Sequence, residues 1–133
     1  MQFIDIQVNG YAGVDFRAPG LDEPQLQHVA ERLRIGQVRA ILPTITTNAV
    51  PAMAACLVRL HELIEKDKTL QKLMPAFHIE GPCISPEEGY RGAHPPEHIK
   101  PATIELFKPL VEAVGGPANL AIVTLACWVT GSG

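Results

Sequence analysis

Glu80 closes the apolar run "LMPAFHI" and stands directly before Gly81 and Pro82, where a turn can aim one ligand into a site at the end of a strand. His78 precedes it by two residues, so in an extended chain both side chains point to one face. The following loop carries His94 in "GAHPP", with His98 beyond it. A plainer reading stands beside this one. Glu80 would be solvated at a strand edge, His78 a core histidine bonded to the backbone, and His98 a surface residue near a helix, since single histidines are weak signals.

"DIQVNG" supplies a second polar set near the end of a strand. Gln7 and Asn9 alternate onto one face, which Asp5 shares, and a carboxylate there needs a partner if it is buried. Asn9 and Gly10 could instead simply form a turn. "ILPTITTN" brings Thr44, Thr46 and Thr47 to another strand end. These hydroxyls could line a polar pocket, but β-branched residues also suit a strand, and the structural role is the expectation. The glycines of "GYAGVDFRAPG" fit neither GxGxxG nor GxxxxGK[ST], so a nucleotide site is dismissed. Cys56, Cys83 and Cys127 lie too far apart for a close-spaced zinc motif and read as reduced, mostly structural residues. A thiolate nucleophile at Cys83 is a minor option, because no charge beside it in the sequence would lower its pKa.

The elements that must position these groups alternate. "FIDIQV" (3–8) is a strand ending in the turn or loop "NGYAG". A helix starts at Glu23 with Pro24 in its first turn and Leu26, Val29, Ala30 and Leu33 on one side, Val38 possibly extending the pattern. "RAILPTITT" (39–47) is a second strand, with Pro43 toward its C-terminal end. Asn48 and Pro51 open a helix of about residues 51–67, carrying Met53, Ala54, Leu57, Leu60 and Ile64 on one side. "LMPAFHI" is the third strand. After a long loop to about Lys100 comes "ATIELFKPLVEAVG", a helix that Pro109 could kink or split. "LAIVTLA" is the fourth strand.

This order is that of an α/β chain, and near-continuous apolar strands are the habit of parallel strands buried on both faces. At 133 residues, 47% of them hydrophobic, the chain has side chain enough for one core. No linker divides it, so residues 1–133 read as one unit. Either an open doubly wound sheet or about four βα units of a (β/α)8 barrel fits. A complete barrel takes about 250 residues, so the latter would be about half of one. Both ends look like cuts through something larger. The net charge of −3 with no Lys or Arg cluster argues against nucleic acid, and the absence of a long uncharged apolar window against a membrane span. The cytoplasm is the default location.

Taken together, "DIQVNGYAGVDF", "LPTITTN" and "FHIEGPCISPEEGYRGAHPP" resemble the N-acetylglucosamine-6-phosphate deacetylase family of the amidohydrolase superfamily, over residues 3 to about 126. The resemblance implies a partial (β/α)8 TIM barrel, its N-terminal half, from an enzyme that hydrolyses the acetamide of N-acetylglucosamine 6-phosphate to glucosamine 6-phosphate and acetate. It implies that Glu80 ligates a divalent metal, zinc by expectation and one per complete site. Gln7 and Asn9 occupy the position of the superfamily's paired histidines, as in members with a single metal, and neutral amides are poorer zinc ligands than imidazole. Ala93 and His94 would contact the substrate, and His94 would polarise its carbonyl while metal-bound water attacks.

The chain departs from that family's pattern in three places. The family's N-terminal β-rich portion is absent, Cys127 and Trp128 stand where Pro-Glu usually follows, and two metal-binding histidines and the catalytic aspartate belong to later strands. The isolated chain is therefore expected to be inactive and to self-associate, two half-barrels pairing as a homodimer. The alternatives are a non-catalytic sugar-phosphate-binding or interaction module of the same ancestry and, disfavoured by its missing phosphate fingerprint, a doubly wound nucleotide binder.

Overall fold

The computed structural model describes residues 3–126. Four strands form one parallel sheet in chain order: β1 (Phe3–Val8), β4 (Val38–Thr46), β5 (Phe77–Glu80) and β6 (Leu120–Thr124). A two-residue hairpin, β2 (Gly10–Tyr11) with β3 (Val14–Asp15), fills the connection after β1. The helices are α1 (Glu23–Ile35), α2 (Val50–Glu65), α3 (Lys68–Leu73) and α4 (Ile104–Ala113), with 3-10 turns at Pro96–His98 and Pro117–Asn119. Among the described residues no helix is long and apolar enough to cross a membrane.

The local chemistry explains where the elements begin. Asp22 accepts from the Gln25 backbone N–H at 3.0 Å while Gln25 Oε1 accepts from the Asp22 N–H at 2.9 Å, a reciprocal cap that starts α1 one residue before Pro24. Asp67 caps α3 through Thr69 and Leu70, and Thr103 caps α4 through Leu106. Pro109 sits inside α4, which nevertheless runs unbroken from Ile104 to Ala113.

Several sequence expectations shift. Val38 begins β4 instead of extending α1. Leu73 and Met74 belong to the end of α3 and its cap, so β5 starts only at Phe77. Both α3 and the β2–β3 hairpin are too short to show a period. β4 and β5 are buried on both faces, but β1 is an edge strand with Phe3, Ile4 and Ile6 more than half exposed. Cys127 and Trp128 lie outside the described residues.

The core fills the space between one sheet face and the helices. Ile41, Ile45, Phe77 and Ile79 point into it and meet Leu26, Val29 and Leu33 of α1, Met53, Leu57 and Leu60 of α2, and Leu110 of α4. The alternate residues, Thr44, Thr46, His78, Glu80, Ile122 and Thr124, take the opposite face in matched register. Apolar packing on the first face thus leaves a polar column on the second, which rises toward the C-terminal strand ends.

Candidate functional site

That column ends in a cleft of about 830 Å³ bounded by the C-terminal ends of β1, β4, β5 and β6 and by the loop 84–98. Ligands of parallel α/β sheets bind at such strand ends. Glu80 is its focus. The Gln7 side-chain amide donates to Glu80 Oε2 at 2.9 Å, and His94 Nε2 lies 3.6 Å from Glu80 Oε1, beyond hydrogen-bond length. One carboxylate oxygen is therefore tied and the other faces His94 and the cleft. Both side chains are mostly sheltered, at 17% and 16% exposure, which keeps the pair in a setting of reduced screening.

His94 is held from behind, its Nδ1 2.8 Å from Thr47 Oγ1. Thr47 is buried, and its hydroxyl also donates to the Glu80 carbonyl at 3.3 Å. The turn between them depends on Gly81, whose φ of +83° favours glycine and whose position against Thr47 Oγ1 leaves no room for a side chain. Its N–H donates to the Thr124 carbonyl at 3.1 Å, and the Ala126 N–H to the Cys83 carbonyl at 2.9 Å, pinning the loop beside β6.

The structure thus brings Gln7, Glu80 and His94 to one point, with Asn9 and Ala93 lining the same cleft. His98 also borders it, from the 3-10 turn. His78 is not part of the opening. It is buried, bonding the Ile6 carbonyl at 2.9 Å and the Thr124 hydroxyl at 2.8 Å, the core histidine of the plainer reading. Asp5 is exposed and accepts from the Gln7 N–H, so its carboxylate needs no buried partner. The threonines divide: Thr44 is structural, whereas Thr47 supports His94. Burial pushes the thiols of Cys56 and Cys83 up from their ordinary value, which disfavours a thiolate at Cys83.

Arg17 is a wall residue that sequence reasoning did not single out. Its Nε and Nη2 bond Asp15 at 3.1 and 3.0 Å and its Nη1 reaches Thr46 Oγ1 at 3.3 Å. The only signal was the close spacing of Asp15 and Arg17. The Arg17 hydrogen bond holds the Asp15 carboxyl below its ordinary value of 3.8. A lowered folded pKa means that the pair stabilises the fold above the unfolded value and loses that contribution as pH falls through the folded one. Because both groups are about half exposed, the expected effect of Asp15→Asn is at most about 1 kcal/mol near neutral pH. Urea unfolding at pH 7 and at pH 3 checks this: the difference from the parent chain should shrink at the lower pH.

Among the described residues no three His, Cys, Asp or Glu side chains gather closely enough to hold a metal ion. Glu80 offers one anionic donor, whereas a catalytic zinc takes about three protein ligands plus water. The described residues alone do not fit such a site.

No family model matches the chain. Among curated proteins it is similar to the N-acetylglucosamine-6-phosphate deacetylase of Bos taurus, 33% identical over 125 residues, which are 93% of this chain and 30% of that protein. The Bacillus subtilis enzyme of the same name is 32% identical over 125 residues, 92% and 30% of the two chains. An N-acetylgalactosamine-6-phosphate deacetylase of Shewanella is 36% identical over 102 residues, 76% and 24%. Among solved structures, N-acetylglucosamine-6-phosphate deacetylase from Pasteurella multocida matches with a TM-score of 0.73 and 25% identity, covering 92% of this chain and 30% of that one. The enzyme from Mycobacterium smegmatis gives 0.76 at 19% identity, covering 94% and 33%. The chain spans about 30% of the length of the curated relatives it matches.

Proposed function

The chain belongs to the N-acetylglucosamine-6-phosphate deacetylase family, and from that premise we propose that it is part of a cytoplasmic enzyme that hydrolyses the acetamide of N-acetylglucosamine 6-phosphate to the free amine and acetate. The observation that carries the reading is the Glu80 carboxylate at a strand end, one oxygen tied by Gln7 and the other open toward His94. Four parallel strands in chain order, with helices against one face and polar groups at the C-terminal ends, support a place within a (β/α)8 barrel.

In this reading Glu80 is the chain's share of a divalent-metal site, zinc by preference, whose other donors stand outside these 133 residues. Gln7 fixes the rotamer of the carboxylate, and the neutral amides of Gln7 and Asn9 leave room for a single ion. When the Thr47 hydroxyl turns its hydrogen from the Glu80 carbonyl at 3.3 Å to Nδ1 of His94 at 2.8 Å, the neutral ring keeps its own hydrogen on Nε2 and presents it to the acetamide carbonyl, and Ala93 meets the sugar beside it. Donors aimed at the oxygen where charge develops are the main electrostatic aid to amide hydrolysis.

Acetate release from N-acetylglucosamine 6-phosphate by the whole protein, with the galactosamine epimer alongside, tests this. Faster release from the gluco sugar is the expected result, and no release from either would refute it. The 133-residue chain alone should release none and should pair with a second copy through the exposed apolar residues of β1 and of the β6 end, Val123 and Leu125. Sedimentation velocity showing only monomer would contradict the pairing.

A further inference from the structure

Strand β1 slips out of register with β4 between Asp5 and Val8. Three backbone groups in that break are met by side chains. The Gln7 N–H goes to Asp5 Oδ1 at 3.0 Å, the Val8 N–H to Thr44 Oγ1 at 3.1 Å, and the Ile6 carbonyl to His78 Nδ1 at 2.9 Å. His78 comes from β5, two strands away, and its Nε2 lies 2.8 Å from the Thr124 hydroxyl on β6. Thr44, its register partner on β4, donates to the Leu42 carbonyl at 3.0 Å and lies 3.4 Å from Nδ1. One buried ring therefore links groups on all four strands, and among the described residues no buried side-chain polar atom lacks a partner.

The bonding fixes the proton. A carbonyl only accepts, so Nδ1 carries the hydrogen, and in the neutral ring Nε2 then accepts from Thr124. The residue after Ile6 is Gln7, whose amide holds Glu80 Oε2. We propose that His78 is a positioning residue: by gripping the Ile6 carbonyl through Nδ1–H it sets the displaced stretch of β1 from which Gln7 orients Glu80. The inference deepens the reading of Glu80 as a ligand, yet the contact it concerns exists whatever the substrate.

Three variants separate positioning from mere stability. His78→Asn keeps an amide donor near the place of Nδ1, His78→Gln moves it toward that of Nε2, and Thr124→Val removes only the Nε2 partner. The measurements are the ring ¹⁵N shifts of His78 and the solvent exchange of the Gln7 side-chain amide, in ¹⁵N-labelled chain whose folding is checked by circular dichroism. The expected results are an Nδ1–H ring in the parent, native-like Gln7 exchange in His78→Asn and Thr124→Val, and exchange about fivefold or more faster in His78→Gln. A ring protonated at Nε2 alone would overturn the proposal, as would unchanged Gln7 exchange in folded His78→Gln. Should that variant fail to fold, the ring shifts of the parent and Gln7 exchange in the other two decide it. No turnover is read, so an enzyme that proves inactive on the sugar phosphate refutes the proposed function and leaves this inference standing.

Discussion

Under the function proposed above, Glu80→Ala in the whole protein is expected to abolish divalent-metal binding and deacetylase activity together while the fold persists. Loss of an outer partner of a metal ligand already costs about 10–100-fold in affinity or activity, and loss of the ligand itself should exceed that. The fold survives because Glu80 contributes one hydrogen bond at the mouth of a cleft, to an exposed Gln7, and packs against none of the helix-facing core. Stability should fall by no more than about 1 kcal/mol. Glu80→Gln separates shape from charge, since it can still accept from Gln7 but offers the metal a neutral oxygen. Metal content by elemental analysis, read beside thermal unfolding, checks both parts. Full metal occupancy in the alanine variant would remove Glu80 from the site.

Gly81→Ala is expected to destabilise the chain by about 2–4 kcal/mol, combining the cost of a left-handed alanine with that of overpacking. The new Cβ would meet Thr47 Oγ1 and approach Ile84 Cγ1 at 3.1 Å. Thr47 cannot yield freely, because its hydroxyl is engaged with His94 and with the Glu80 carbonyl. Adding Thr47→Ala removes the colliding oxygen and leaves an ordinary 3.4 Å contact with the Thr47 Cβ. The double variant should therefore recover part of the loss, a non-additivity that chemical unfolding of the four chains measures directly. Strict additivity would mean that the steric account of this turn is wrong.

Much of the site was legible because its residues stand at strand ends that composition marks. Gln7, Asn9 and Glu80 stand at or just past strand ends and His94 on the loop that follows, whereas Ala93 entered only through the family resemblance, and all five reach one cleft. What escaped was carried by contacts between distant parts of the chain. Thr47 read as a strand residue because its tie to His94 crosses 47 positions, and Thr124 attracted no notice because its partner His78 is 46 positions away. The fold divides likewise. Helix α1 declared itself through Pro24 and a clear apolar side, though its Asp22 cap did not, and "LMPAFHI" hid a boundary: its Leu73 and Met74 finish a six-residue helix too short to show a repeat. Exposure of β1 was equally invisible, since "FIDIQV" has the composition of a buried strand and only the strand order reveals it as an edge.

The sheet's strand order is also its order of synthesis. Each strand pairs with the one made just before it in the sheet, so β4 can close on β1, β5 on β4, and β6 on β5 without waiting for a distant segment. Such nearest-neighbour closure keeps loop entropy low at every step and suits assembly from the N-terminus as the chain emerges. The ring of His78 is the exception that completes the sequence. It reaches past β4 to Ile6 and then requires Thr124, so the bend in β1 that orients Gln7 is secured only after β5 arrives and is fully bonded only after β6. The cleft should thus be the last part of this unit to take its final form during folding, after the apolar side is in place.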